Sequence, residues 1–167
     1  EPWRFVLDCH LGRLAKHLRL LGFDVLYENT AEDGWLAEVS AKDGRWLLTR
    51  DKALLFRSAV FRGYLVRSPQ PRDQLSEVLA RHDCRRAARP LSRCLLCNAE
   101  LTREDLDKGL EEAPPKTRAW CREFWRCPGC GKLFWKGSHF DRLMQIVSAM
   151  SGEQCGDGEG GMPPRIL

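Results

Sequence analysis

The stretch RFVLDCHLGRLAKHLRLLGFDVLYE, residues 4–28, predicts a strand, a helix and a second strand in succession. Phe5-Val6-Leu7 is a short apolar run of strand type. Apolar residues then recur at the spacing of one helix face, at Leu11, Leu14, Ala15, Leu18 and Leu21. Gly22 is typical of the residue that follows a helix, and the next apolar run begins at Phe23. This order is the βαβ unit of a parallel sheet.

The same alternation continues along the chain and predicts a compact α/β domain over residues 1–83. Thr30 and Asp33 have the spacing of a capping box, which predicts a helix that ends near Gly44. Pro69-Gln70-Pro71 predicts the turn before the last helix of the domain. The remaining elements are predicted as a strand at 46–49, a short helix at 52–59, a strand at 64–66 and a helix at 73–82.

The composition is that of a folded protein. Of 167 residues, 43% are hydrophobic and 30% are charged, which excludes a disordered chain. No apolar run approaches the roughly 20 residues of a membrane span, so a transmembrane protein is excluded. The chain has neither a signal-peptide pattern nor an initiating Met, and we expect a piece of a longer protein. The net charge of +4 does not by itself indicate nucleic-acid binding.

Beyond residue 83 the sequence predicts three further segments. Residues 84–93 are rich in arginine and predict a basic linker, either solvated or in contact with phosphates. Residues 94–150 contain two cysteine pairs followed by a helical apolar pattern, which predicts a small zinc ribbon with a C-terminal helix. Residues 151–167 are rich in glycine and proline and predict a disordered tail.

Two cysteine pairs have the spacing of metal-binding knuckles: Cys94 with Cys97, and Cys127 with Cys130. Two such pairs complete a tetrahedral four-cysteine zinc site, which is structural because it has no open position for water. The 29 residues between the pairs exceed the usual ribbon spacing, so residues 101–122 are predicted as an insertion. Cys121 or His139 stays open as a substitute ligand. Thiolate ligands predict a reducing, intracellular location, cytoplasmic or nuclear.

Four aspartates are predicted at one edge of the parallel sheet: Asp8, Asp33, Asp51 and Asp73. The strand-to-helix loops of a parallel sheet emerge at this edge, where open α/β sheets bind ligands. Clustered carboxylates repel one another unless a cation lies among them, and Mg²⁺ or Mn²⁺ prefers such oxygen ligands. A bound ion of this kind activates water against a phosphodiester, so the four are candidate catalytic residues. The alternative is that they cap helix N-termini, which lie on the same edge.

Candidate nucleic-acid contacts lie on the first helix, beside Asp51 and in the ribbon: Arg13, Lys16, Arg50, Trp135, Lys136 and His139. Aromatic and basic residues are interleaved in the ribbon, a mixture suited to stacking bases and binding phosphates of a single strand. The alternatives are a solvated helix face and an aromatic core of the ribbon itself. Phosphate-loop and serine-hydrolase motifs are missing, and Cys9-His10 is only a weak indication of a Cys-His enzyme.

An ordered set of short motifs resembles the Mut-seven C-terminal ribonuclease family over residues 4–145. The motifs are FVLD at 5–8, LGRLA at 11–15, LLGFD at 20–24, LLTRD at 47–51, CLLCN at 94–98, CPGCGK at 127–132 and WKGSH at 135–139. The resemblance implies a PIN-like parallel sheet flanked by helices and fused to a zinc ribbon, with metal-dependent cleavage of RNA. It also implies a place in a longer chain that carries an exonuclease domain.

By this resemblance, Asp8 and Asp51 are the Mg²⁺ or Mn²⁺ ligands, Asp33 is the acid of the second helix, and Asp73 is the candidate for the fourth acid. We therefore predict a ribonuclease domain whose substrate is single-stranded RNA. We expect no association with a membrane. The alternative is a catalytically silent module of a longer exonuclease, which binds single-stranded RNA or docks a protein.

Overall fold

The structure is a computed structural model that describes residues 3–149. The predicted tail at 151–167 lies outside the described residues. None of the helices in residues 3–149 has the length and hydrophobicity of a membrane span. The elements are β1 (Arg4–Leu7), α1 (Gly12–Leu20), β2 (Asp24–Tyr27), α2 (Asp33–Asp43), β3 (Trp46–Thr49), α3 (Lys52–Leu55), β4 (Gly63–Leu65), α4 (Pro71–His82), β5 (Thr102–Arg103), α5 (Leu106–Glu112), α6 (Pro115–Arg118), β6 (Trp125–Arg126), β7 (Leu133–Phe134) and α7 (Ser138–Ala149).

The first four strands form the predicted parallel sheet, in the order β2-β1-β3-β4. Successive side chains of β1 point to opposite faces, as the period of a strand requires. Phe5 and Leu7 pack with α1 and α4, whereas Val6 packs with Leu36 of α2. In this strand order the chain places β2 on one side of β1, and β3 and β4 on the other side. The topological switch point of the sheet therefore lies between β1 and β3. The carboxyl ends of these two strands flank the place where open α/β sheets bind ligands.

Two predicted helix boundaries are wrong. The helix α2 has Glu32 at its N-cap without a side-chain capping bond, and Asp33 is its first residue. The predicted Thr30 capping box does not form because residues 28–31 make a turn, in which the Ala31 N–H donates to the Glu28 carbonyl. The helix α3 ends at Leu55, short of the predicted residue 59.

The zinc ribbon is built on the antiparallel sheet β5-β6-β7. Helices α5 and α6 lie between the two cysteine pairs, where the sequence predicts an insertion. Buried Ala113, Cys121 and Phe124 form the core of this insertion. Gly109 is required there because a β-carbon at this position would meet the Phe124 ring.

The C-terminal helix returns to the α/β sheet. Leu143 and Val147 of α7 are buried in the same hydrophobic cluster as the apolar faces of α1 and α4. The ribbon therefore does not stand apart from the first four strands. The predicted boundaries at residues 83 and 94 stay predictions, because the packing is continuous across them.

The segment 84–93 is attached to the end of α1. The Arg89 N–H donates to the Leu21 carbonyl at 2.7 Å, and the Leu91 N–H donates to the Leu20 carbonyl at 2.9 Å. Gly22, at φ +86°, permits this approach because a β-carbon would meet the Arg89 carbonyl. Leu91 is buried, so the expectation of a solvated linker is wrong for this part of the segment.

His82, at the end of α4, is enclosed by aromatic rings. Its ring centroid lies 4.5 to 5.8 Å from those of Trp3, Phe5, Trp46 and Tyr64. Burial, assisted by the charge of Arg81, lowers the pKa of His82 from 6.5 to about 4. The folded protein therefore holds this imidazole neutral under conditions in which the unfolded chain protonates it.

We expect the free energy of unfolding to fall by about 2 kcal/mol between pH 6.5 and pH 4 because of His82. The unfolded chain takes up a proton over this range, which favours the unfolded state, and the loss is complete below pH 4. The His82→Phe variant should flatten this dependence in urea titrations at each pH, whereas His10→Gln, at an exposed histidine, should keep it. An equal slope in both variants would contradict the assignment.

Candidate active site

Asp8 lies at the carboxyl end of β1 and is 4% exposed. Its Oδ1 accepts the His10 N–H at 2.8 Å. Its Oδ2 accepts the Arg50 N–H at 3.0 Å and the Thr49 hydroxyl. All three donors are neutral, and in residues 3–149 no ion pair involves Asp8. By contrast, the Asp24 carboxylate is paired with Arg45 at 2.9 Å.

Thr49 joins Asp8 to Asp51. The Thr49 hydroxyl donates to Asp8 and accepts the Asp51 N–H at 2.8 Å. The Asp51 side chain is exposed, and its Oδ1 accepts the Ala53 N–H at 2.7 Å as the N-cap of α3. The two predicted metal ligands therefore follow the two adjacent central strands, at the point where the strand order reverses. Carboxylate oxygens in this position fit a hard divalent cation.

A cleft of about 400 Å³ lies at this edge of the sheet; Cys9 and Arg50, the chain neighbours of Asp8 and Asp51, line it, and the two aspartates themselves do not. His10 and Arg50, whose backbone N–H groups bind Asp8, both line it. Three of the predicted nucleic-acid contacts line the same cleft: Arg13, Lys16 and Arg50. These three side chains are exposed, so their positive charges are available to an anionic ligand. A phosphate-bearing ligand fits this surface.

Tyr27 is a residue of the cleft that the sequence analysis did not single out. Its hydroxyl donates to the Cys9 carbonyl at 3.0 Å. Burial raises the pKa of the Tyr27 phenol, so the group is a hydrogen-bond donor at neutral pH. The sequence could have indicated Tyr27, because it lies at the end of the second predicted strand. That end reaches the same edge of the sheet as Asp8 and Asp51.

The four predicted knuckle cysteines converge on one point. The Sγ atoms of Cys94, Cys97, Cys127 and Cys130 all lie within 4.8 Å of one another. The Cys94–Cys130 sulfur distance is 3.6 Å and the Cys97–Cys127 distance is 3.3 Å. A tetrahedral zinc with sulfur at about 2.3 Å separates its ligands by about 3.8 Å, which is close to these values. The donor set fits zinc, and Cys121 and His139 are not part of it.

The first knuckle is bound to the sheet by side-chain hydrogen bonds. Arg19 of α1 donates to the carbonyls of Leu95 and Leu96. The Asn98 side chain accepts the Val25 N–H at 3.0 Å and donates to Asp24 at 2.8 Å. Arg19 shares its helix with the cleft residues, so the knuckle supports the helix that carries them.

A model of the Mut7-C RNAse domain matches residues 3–147. The chain belongs to the Mut7-C RNAse domain family. The resemblance predicted from the ordered motifs is therefore confirmed, over nearly the same residues. Comparisons with curated proteins and with solved structures gave no match. Membership in the Mut7-C RNAse domain family assigns the chain to a ribonuclease type of domain.

In this Mut7-C RNAse domain, Asp33 and Asp73 lie apart from the contacts of Asp8. Asp33 is paired with Arg57 at 3.5 Å, and Asp73 is exposed in the first turn of α4. Within residues 3–149, one group of three or more His, Cys, Asp or Glu residues is placed to hold a metal. This group is the cluster of four knuckle cysteines. The catalytic roles of Asp33 and Asp73 stay predictions.

The three predicted contacts in the ribbon have separate surroundings. Trp135 packs against Phe124, with ring centroids 6.4 Å apart. Lys136 is paired with Glu123 at 2.9 Å. His139, at the start of α7, lines a second pocket together with Lys16. The structure therefore brings His139 to the helix that borders the cleft, whereas Trp135 belongs to the packing of the ribbon.

Proposed function

We propose that the chain is a metal-dependent ribonuclease that hydrolyses RNA phosphodiester bonds at the cleft beside Asp8. The observation that carries the proposal is the buried Asp8 carboxylate, which is held by neutral donors only and lies next to a cleft lined by Arg13, Lys16 and Arg50. A buried charge without a counter-ion is costly, and a divalent cation would supply one. Membership in a ribonuclease domain family supports the same assignment.

Asp8 and Asp51 are the residues that would hold Mg²⁺ or Mn²⁺. When bound, such an ion lowers the pKa of water and stabilises charge on the phosphodiester. The Thr49 hydroxyl fixes the Asp8 carboxylate and, through the Asp51 N–H, the start of α3. Arg13, Lys16 and Arg50 bind the phosphates of the strand and set its position along the cleft.

The second candidate is a catalytically silent module that binds single-stranded RNA or docks a protein. Two observations favour it. Asp8 and Asp51 both accept backbone N–H groups as caps, of a 3-10 turn at Cys9–Leu11 and of α3. In the described part of the chain, the aspartates form no group of three placed for a metal.

The test is cleavage of a labelled single-stranded RNA by the zinc-loaded protein in Mn²⁺, Mg²⁺ or EDTA, with RNA binding measured in parallel. We expect cleavage with either ion and none in EDTA. The double variant Asp8→Asn/Asp51→Asn should bind RNA without cutting it. The control Asp105→Asn, which alters the carboxylate cap of α5 in the ribbon, should cut like the wild type. RNA binding without cleavage under all conditions would support the silent module.

The same assay assigns Asp33 and Asp73. We expect Asp33→Asn to slow cleavage less than Asp8→Asn, because Asp33 is half-exposed and paired with Arg57. Single-stranded RNA as the substrate, an intracellular location in the cytoplasm or nucleus, and a place in a longer chain with an exonuclease domain belong to this proposal as well.

A further inference from the structure

A second pocket, of about 250 Å³, lies between α1, the start of α4 and α7. Its cationic and imidazole side chains come from three separate elements: Lys16 and His17, Arg72, and His139 and Arg142. Four aliphatic residues complete the lining: Leu20, Leu95, Leu143 and Ile146. No carboxylate is among the lining residues, although aspartates and glutamates are frequent in the chain.

This lining fits a ligand that has both an anionic group and an apolar part. A small inorganic anion would use the cationic side chains and leave the aliphatic floor without a partner. A lipid chain or a peptide would extend well beyond the roughly 250 Å³ of this pocket, whereas a single nucleotide unit would not. One nucleotide meets both requirements, because its phosphate is anionic and its base has an apolar face.

The pocket and the cleft beside Asp8 are neighbours, because Lys16 lines both. From this shared wall we infer that the pocket between α1, α4 and α7 is a nucleotide subsite for the RNA strand whose scissile phosphate lies in the cleft. Lys16, Arg72 and Arg142 bind the phosphate, and the aliphatic floor contacts the base. The inference rests on the proposed function for the identity of the strand, whereas the affinity of the pocket for a nucleotide does not depend on cleavage.

His17 provides a probe inside the pocket. Burial lowers its pKa, a hydrogen bond to the Pro71 backbone opposes this, and the charges of Arg72 and Arg13 and the nearby His139 lower it further. The His17 Nδ1 atom is buried and has no hydrogen-bond partner in the described residues. A phosphate held beside the ring would stabilise the charged imidazole and raise the pKa of His17.

The binding experiment uses uridine 5′-monophosphate, uridine and inorganic phosphate on the zinc-loaded protein, without Mg²⁺ or Mn²⁺. Calorimetry measures affinity, and NMR of labelled histidines measures the pKa of His17. We expect the nucleotide to bind more tightly than uridine or phosphate and to raise that pKa. The Arg142→Gln variant should weaken nucleotide binding about tenfold, whereas Arg86→Gln, on an exposed arginine outside the pocket, should not.

Three results would overturn the inference: no nucleotide binding, equal binding of nucleotide and phosphate, or equal affinity in wild type and Arg142→Gln. Each is distinct from failure of the proposed function. If the protein cuts RNA and Arg142→Gln leaves the KM unchanged, the subsite is wrong and the nuclease stands. If the nucleotide binds at His17 and RNA is not cut, the pocket is a nucleotide site and the nuclease is wrong. With both correct, Arg142→Gln raises the KM for RNA and leaves kcat unchanged.

Discussion

Removal of zinc is expected to unfold the ribbon and to destabilise the parallel sheet with it. The four sulfurs would lose the ion that holds the two knuckles together, and small metal domains depend on that ion for folding. The sheet would lose the hydrogen bonds of Arg19 to Leu95 and Leu96, and those of Asn98 to β2. Bonds to charged groups contribute about 1.5 to 3 kcal/mol each, so the α/β part should lose at least about 3 kcal/mol.

Thermal unfolding with and without a zinc chelator measures this effect, with the NMR signal of the Trp46 indole N–H in β3 reporting on the sheet. Cys127→Ser should reproduce the loss, and Cys9→Ser, at a cysteine outside the cluster, should not. Asn98→Gly keeps all four sulfurs, tolerates the φ of +68° at this position and removes the side-chain bonds to β2, so it should bind zinc and still lower the melting temperature. An unchanged sheet transition after chelation would show that the ribbon and the sheet are independent.

The second large effect is expected from Asp8→Asn, which should lower the rate of RNA cleavage about a thousandfold. The change preserves size and removes the charge that would hold the divalent ion. The amide has one acceptor oxygen in place of two, so its NH₂ group faces either the His10 N–H or the pair of donors formed by the Thr49 hydroxyl and the Arg50 N–H. A loss of about 1 to 3 kcal/mol in stability is therefore also expected. Cleavage is therefore measured well below the melting temperature of the variant, after its zinc content is verified.

Thr49→Val separates the positioning of Asp8 from its charge. The valine keeps the shape of the strand residue and removes the hydroxyl that joins Asp8 to Asp51. We expect a loss in kcat of about tenfold, smaller than that of Asp8→Asn, because both carboxylates remain. A Thr49→Ser variant should recover the activity. Equal rates in wild type and Thr49→Val would contradict the role of this hydroxyl.

The sequence predicted the elements that depend on local pattern. The apolar runs at 5–7 and 46–49 became β1 and β3, and the parallel arrangement followed from the helices between the strands. The same rule placed Asp8 and Asp51 at one edge of the sheet, and the structure adds that the strands before them are adjacent. The knuckle spacing predicted the convergence of four cysteines, because a thiolate pair two residues apart has few other geometries.

Contacts between distant parts of the chain could not be predicted in this way. The bond from Asn98 to Val25 spans 73 residues, and no periodicity records it. Leu91 is flanked by polar residues and Pro90, so its burial against α1 had no local signal. The pocket that contains His17, Arg72 and Arg142 requires three helices to meet, and the return of α7 to the core was not visible in its own amphipathic pattern.

The most direct test of the active-site assignment is the binding of Mn²⁺, measured by electron paramagnetic resonance on zinc-loaded protein. Such a measurement is independent of contaminating ribonucleases. We expect Asp8→Asn and Asp51→Asn each to weaken Mn²⁺ binding at least about tenfold, whereas Asp105→Asn should leave it unchanged. Equal Mn²⁺ binding by the wild type and both active-site variants would contradict the assignment of the metal to Asp8 and Asp51.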